Sequence, residues 1–205
     1  MKLSRKLFVM LLAVVMVLGI TSMVGAFPSG DYYSDWYINS TADGYWNGND
    51  ILAEVEQLHG TTDSDAEINQ FNTGSSNYAG IGQHGTDLDA VINQEGNANF
   101  VRVSQGWNRE GNDALVDQTG NLNRVRTQQG GEYDELYVKQ DGYFNYARVD
   151  QFGTMNSYAE VKQFGDQNGA AIFQDDYDDM TATVFQDGMD NEAVINQTGG
   201  AGGGY

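Results

Sequence analysis

The chain has 205 residues, one proline, no cysteine and a formal net charge of −19. The lack of cysteine excludes disulfides and thiolate metal sites, and the acidic balance argues against nucleic acid and anionic membrane as partners. Low hydropathy with high net charge also fits an unfolded chain, so a folded state has to come from patterning.

Residues 1–26 read as a secretory signal peptide. Lys2, Arg5 and Lys6 form a basic start, Leu7 to Ile20 is an apolar run, and Val24-Gly25-Ala26 supplies small residues for cleavage. The run is short for a membrane span. Cleavage after Ala26 would remove three of the ten basic residues and no acid, leaving 7 basic and 29 acidic groups, net −22. Residues 27–50 carry Tyr32, Tyr33, Trp36, Tyr37, Tyr45 and Trp46 among Gly, Asp, Ser and Asn, without a repeat. They read as a flexible leader of the kind that export machinery reads.

From residue 51 a period appears, and a period decides the fold before local propensity does. Thirteen glutamines mark it: Gln57, Gln70, Gln83, Gln94, Gln105, Gln118, Gln129, Gln140, Gln151, Gln163, Gln174, Gln186 and Gln197, spaced 11 to 13 apart. Two residues before each stands Val or Ile in twelve cases, the exception being Thr127. Four before stands Ala in ten cases, otherwise Val101, Val125 or Leu136, and two after stands Gly in nine. Constrained and free residues alternate, as in Asn145 to Gly153, which predicts a strand with one buried face. An amide on that face makes sense only in a stack of like strands, where each amide bonds to the same amide above and below.

The position six before each glutamine shows the true repeat. In alternate units it is always asparagine: Asn77, Asn99, Asn123, Asn145, Asn168 and Asn191. In the others it varies through Ser64, Leu88, Asn112, Asp134, Ser157 and Met180. The repeat is therefore a pair of units. Six pairs run from Ser64 to Gly199, preceded by a half-unit around Ile51 to Gln57.

The predicted fold is an all-β solenoid. Each pair is strand, turn, strand, and two parallel sheets face one another across a thin core of Ala and Val or Ile. Six and a half rungs at roughly 4.8 Å give a body about 30 Å tall. Gly and Asn are expected at the turns, supplying positive φ, and length changes are expected in loops between pairs, such as Gln105 to Asn112. The Gly-rich stretch 200–205 reads as a loose tail. The last unit, Asn191 to Gly199, copies the pattern in full. Monomeric solenoids cap their ends, and soluble sheets blunt theirs with charge, proline or bulges. An end built like the middle accepts another molecule as its next rung, which predicts end-to-end polymerisation into a cross-β fibre. The glutamines and the six asparagines named above are the candidate self-assembly residues.

At this point the repeat resembles a known one. Ser157, Gln163, Asn168 and Gln174 follow the spacing of the curlin repeat of curli amyloid subunits, and the resemblance extends from Ile51 to Gly199. It implies a secreted, non-enzymatic subunit of an extracellular amyloid fibre on the bacterial surface, within a biofilm matrix. It also implies two partners besides the chain itself: a nucleator subunit and an outer-membrane secretion pore. The final pair keeps Gln186, Asn191 and Gln197, which favours the major fibre subunit over the minor nucleator.

Weaker signals have simpler readings. Gly80 to Gly85 satisfies a GxGxxG pattern without opening a helix. His59 and His84 neighbour no nucleophile, so no catalytic residue is assigned. Asp175, Asp176, Asp178 and Asp179 lack the spacing of a calcium loop, which leaves weak cation binding as the most they suggest. No cofactor is expected. A monomeric solenoid that binds a surface or a cation is the alternative class; it would need capped ends.

Overall fold

The structure is a computed structural model that describes residues 52–57, 61–71, 76–176 and 178–199. The predicted signal peptide, leader and 200–205 tail lie outside them, as do Ile51 and His59. The described residues form thirteen strands and no helix. Seven lie in one parallel sheet, ordered β1 (Leu52–Gln57), β3 (Tyr78–Thr86), β5 (Phe100–Glu110), β7 (Arg124–Glu132), β9 (Tyr146–Met155), β11 (Gly169–Asp175) and β13 (Glu192–Thr198). Six form the facing sheet, ordered β2 (Asp65–Phe71), β4 (Asp89–Asn97), β6 (Asp113–Asn121), β8 (Glu135–Tyr143), β10 (Tyr158–Asp166) and β12 (Thr181–Met189). Successive strands alternate between the sheets, so the chain winds as a solenoid of six and a half rungs, as the paired repeat predicts.

Register follows the sequence period. Gln140 sits against Gln163 and Gln163 against Gln186; Val138, Val161 and Val184 stack likewise. A one-residue slip would turn every core residue outward, which is why the alternation fixes the pairing so firmly. The core is two facing rows of small and branched side chains, among them Ala79, Ile81, Ala90, Ile92, Val125, Val138, Ala147 and Val149. Small Ala lets the sheets approach, and the branched neighbour fills the space left.

The corners differ from the expectation. Most strands run past the glutamine and through the following glycine, and the turn proper is two residues, such as Phe144-Asn145 or Tyr133-Asp134. The asparagines do not supply the positive φ. The residue before each does: Ala98, Leu122, Phe144, Gln167 and Asp190 have φ between 53° and 61°. The cause is the stack. Each of the last four donates its backbone N–H to a carbonyl of the preceding rung, as Phe144 does to Asn121 at 3.0 Å, and that bond offsets much of a left-handed penalty of about 1–2 kcal/mol. Glycine is demanded two residues after the glutamine. Gly142 has φ 139°, and a Cβ there would lie 2.0 Å from the Gly165 carbonyl oxygen.

Extra residues are also placed differently. The long interval from Gln105 to Asn112 makes no loop. Gly106 pairs with His84 and Arg109 with Gly85, so the two residues between them bulge within β5. A second irregularity opposes Gly130 and Glu132 to Phe152 and Met155. Bulges keep the next corner in register, which a free loop would not. The Gly80 to Gly85 stretch lies inside β3.

Thr127 stands in the branched core column between Val103 and Val149, and its Oγ1 has no hydrogen-bond partner. A buried unsatisfied hydroxyl costs about 1–3 kcal/mol. Thr127→Val keeps the shape and removes the hydroxyl. It should stabilise the body by about 1 kcal/mol or more, read as a rise in the denaturant midpoint with an unchanged slope.

Candidate assembly interface

The glutamine side chains form two unbroken ladders. One runs Gln57, Gln83, Gln105, Gln129, Gln151, Gln174 and Gln197, with Nε2 to Oε1 distances of 2.8–3.3 Å. The other runs Gln70, Gln94, Gln118, Gln140, Gln163 and Gln186, at 2.7–2.9 Å. In both, every amide nitrogen donates towards the C-terminal end.

Backbone carbonyls fix that direction. Gln83 Nε2 also donates to the carbonyls of Asp65 at 2.8 Å and Leu88 at 2.7 Å, and Gln129 Nε2 to those of Asp113 and Asp134, both at 3.0 Å. A carbonyl only accepts, so the nitrogen must sit on that side and the oxygen must face the preceding rung. Each glutamine thus links the two sheets as well as two rungs. Gln83, Gln94, Gln140, Gln151 and Gln163 are fully buried, where an unpaired amide would be costly.

The asparagines work differently from the simple amide stack expected. Asn145 donates its backbone N–H to Asn123 Oδ1 at 3.0 Å, and its Nδ2 donates to the Gly165 carbonyl at 2.8 Å. Asn99, Asn123 and Asn168 repeat both contacts. Asn77 makes the glycine contact to Gly96 at 2.8 Å, and Asn191 donates its N–H to Asn168 Oδ1 at 3.1 Å. Direct amide pairs occur beside these at Asn145 to Asn123 and Asn191 to Asn168. The shorter side chain sits at the corner, within reach of backbone, so it seals the turn while the glutamines span the core.

The second corner holds a column that the sequence reading left as variable. Ser64 Oγ accepts the N–H of Leu88, Asn112 Oδ1 that of Asp134, Asp134 Oδ1 that of Ser157, and Ser157 Oγ that of Met180, at 3.0–3.1 Å. Ser, Asn and Asp each carry a short side-chain oxygen that can accept the next rung's N–H, and that shared acceptor was the available signal. Leu88 and Met180 carry none, and both are buried.

Asp134 is the odd member, a fully buried carboxyl. Burial pushes its pKa above the ordinary 3.8, against the lowering effect of bonds from Thr154 Oγ1 at 2.5 Å and the Ser157 N–H. A carboxyl whose folded pKa is raised stabilises the fold most below its unfolded value, and that stability is lost as pH rises through the folded value. The preceding rung solves the same corner with Asn112, whose Nδ2 donates to the Gly131 carbonyl at 2.9 Å. Asp134→Asn should raise the denaturation midpoint at pH 7 and shrink the gain that the native chain shows on acidification towards pH 4. An unchanged pH dependence would contradict the assignment.

Among the described residues no strand pairs beyond β1 and β2 at one end or beyond β12 and β13 at the other. β1 and β2 carry Gln57 and Gln70 with Oε1 facing away from the stack, and β12 and β13 carry Gln186 and Gln197 with Nε2 facing away at the other end. Core residues surface with them: Val55 is exposed, and Ile68, Ala193 and Ile195 are only partly buried. The ends are complementary, acceptors at one and donors at the other.

Among the described residues no group of three or more His, Asp or Glu is placed to hold a metal ion. His84 lies within β3, and the Asp176 and Asp179 backbones take the positive φ of corners.

A parallel two-sheet solenoid with a two-strand repeat, continuous amide ladders and, among the described residues, no further strand at either end defines a class of stacking structural protein. The curlin associated repeat family matches residues 61–96 and 74–106, which hold β2 to β4 and the start of β5, and the later rungs continue the same columns. The chain thus carries curlin repeats over residues 61–106, the repeat of a family of structural amyloid subunits. No curated protein matches the chain.

Proposed function

We propose that the protein is a secreted subunit, the major one, that adds end to end into an extracellular curli-type fibre of a bacterial biofilm matrix and so mediates adhesion and aggregation. A nucleator subunit and an outer-membrane secretion pore are its proposed partners. The observation that carries this reading is the polarity of the two ladders, which makes the two ends complementary. Strand positions alternate between sheets, so the position after β13 lies over β12. An incoming copy seats its β1 there and its β2 over β13. Gln186 Nε2 then meets the incoming Gln57 Oε1, and Gln197 Nε2 meets the incoming Gln70 Oε1.

Charge sets the rate. By register, Asp65, Asp89, Asp113 and Glu135 stack in one outward column. Burial, then Asp89 and Glu135, push the Asp113 pKa up. Protonation relieves that repulsion, and salt screens it.

The test is seeded assembly of residues 27–205, diluted from denaturant and followed by thioflavin fluorescence. Growth should accelerate with added salt and as pH falls towards the pI of about 4.1. Gln186→Ala with Gln197→Ala removes two interface bonds of about 0.5–1.5 kcal/mol each, so the soluble concentration left after growth should rise about tenfold. A chain that stays folded and monomeric with seeds present would overturn the proposal.

A further inference from the structure

The described strands number thirteen, seven in one sheet and six in the other. The glutamine column has the same odd count, since no glutamine stands before Gln57 or after Gln197 in the sequence. An even count would close the body on a full rung. An odd one leaves β13 half a rung beyond β12, with both open to the next molecule. A second copy can then be seated in two ways. Without rotation, the incoming β1 lies over β13 and the incoming β2 lies two rung heights, about 9.6 Å, from β12. That is twice the hydrogen-bonding distance between strands, so Gln186 and the β12 backbone would meet no partner. Turned by half a turn about the long axis, the incoming β1 lies over β12 and β2 over β13. Both sheets then continue at one rung height.

We propose that successive subunits are related by a half-turn, so that the seven-stranded sheet of one molecule continues into the six-stranded sheet of the next. The inference rests on end-to-end addition as proposed above, and it adds the symmetry and the contacts of the seam. The core accepts the swap, since Ala182 and Val184 receive Ala53 and Val55, and Ala193 and Ile195 receive Ala66 and Ile68. The corners accept it too. Asn191 and Ser64 belong to different corner columns, yet both columns pass the next rung's N–H to a side-chain oxygen: Asn191 to Asn168 Oδ1 at 3.1 Å, Leu88 to Ser64 Oγ at 3.0 Å. Ser64 can therefore follow Asn191, with its N–H on Asn191 Oδ1. An outward column favours the swap. Asn69 Nδ2 donates to Asn93 Oδ1 at 3.0 Å, and Asn93 Nδ2 to Asp117 Oδ1 at 2.7 Å. This short ladder on the six-stranded sheet runs the same way as the glutamines and opens with Asn69 Oδ1. Asn196, on β13, pairs in register with Phe173, whose ring offers it no amide. The half-turn sets Asn196 against Asn69 and carries the ladder across the seam.

The faces then alternate along the fibre. The Asp65, Asp89, Asp113 and Glu135 column lies on the six-stranded sheet, and the Arg102, Arg126 and Arg148 column on the seven-stranded one. A half-turn places acidic and basic blocks in turn on each side, every ~31 Å, so neither side carries an unbroken run of one charge. At the seam Glu192 joins the acidic column beside Asp65, a like-charge contact that salt screens.

The chain has no cysteine, so introduced pairs report the seam. Residues facing one another on neighbouring strands lie about 4.8 Å apart, within disulfide reach, and residues on the outer faces of opposite sheets do not. The half-turn sets exposed Val194 against the incoming Glu67, also exposed; the unrotated seating sets it against Glu54. Fibres of residues 27–205 carrying Val194→Cys with Glu67→Cys should run largely as covalent multimers on a denaturing gel after oxidation, and as monomer after reduction. Fibres carrying Val194→Cys with Glu54→Cys should run as monomer throughout. The reverse pattern, or fibres in which neither pair links, overturns the half-turn and leaves end-to-end addition standing. A chain that stays monomeric with seeds present overturns both. Unsubstituted fibres give a second readout by cryo-electron microscopy. Each subunit should add half a turn beyond the twist of its rungs, at a rise of about 31 Å; a rise of about 34 Å without the half-turn would contradict the proposal.

Discussion

A buried glutamine amide has four hydrogen-bonding sites and no water to satisfy them. Here it finds partners only if another glutamine lies one rung above, another one rung below, and a carbonyl of the facing sheet alongside. That requirement organises the rest of the molecule. It demands identical strands in register, a corner that returns the chain to the same height each time, and a core thin enough for one side chain to cross. Ala opposite Val or Ile meets the last condition. The αL residue and the corner asparagine or its substitute meet the second.

The same requirement makes the ends reactive. Inside the body every ladder amide is satisfied. At β1 and β2 the oxygens, and at β12 and β13 the nitrogens, lack the next rung. The ladder is polar because the carbonyls beside it are, so like ends do not match and unlike ends do. Outward acids such as the Asp65, Asp89, Asp113 and Glu135 column oppose association through that face. Assembly is channelled to the direction in which the amides already point.

Much of this was legible in the sequence, because a stack writes its register as a period. The glutamine columns, the core rows, the two sheets and the half-rung at the start follow from spacing alone. Other features were hidden for physical reasons. Ala98, Leu122, Phe144, Gln167 and Asp190 share a backbone conformation and no side-chain chemistry, because a bond to the neighbouring rung imposes it. Ser64, Asn112, Asp134 and Ser157 share one acceptor oxygen across three residue types, so they read as variation. The bulge in β5 looked like a loop because spacing counts residues and not pairing. Arg102, Arg126 and Arg148 look scattered along the chain and become a column only once the rungs are stacked.

The central claim is that each molecule contributes many rungs to the fibre rather than one. Mass per length by scanning transmission electron microscopy tests it directly. Thirteen strands in two sheets are six and a half rungs, so a single protofilament should hold one subunit per about 31 Å at the usual strand spacing of about 4.8 Å. One subunit per about 4.8 Å would mean that each chain lies flat as a single layer, and would contradict the solenoid and the polar ladder with it.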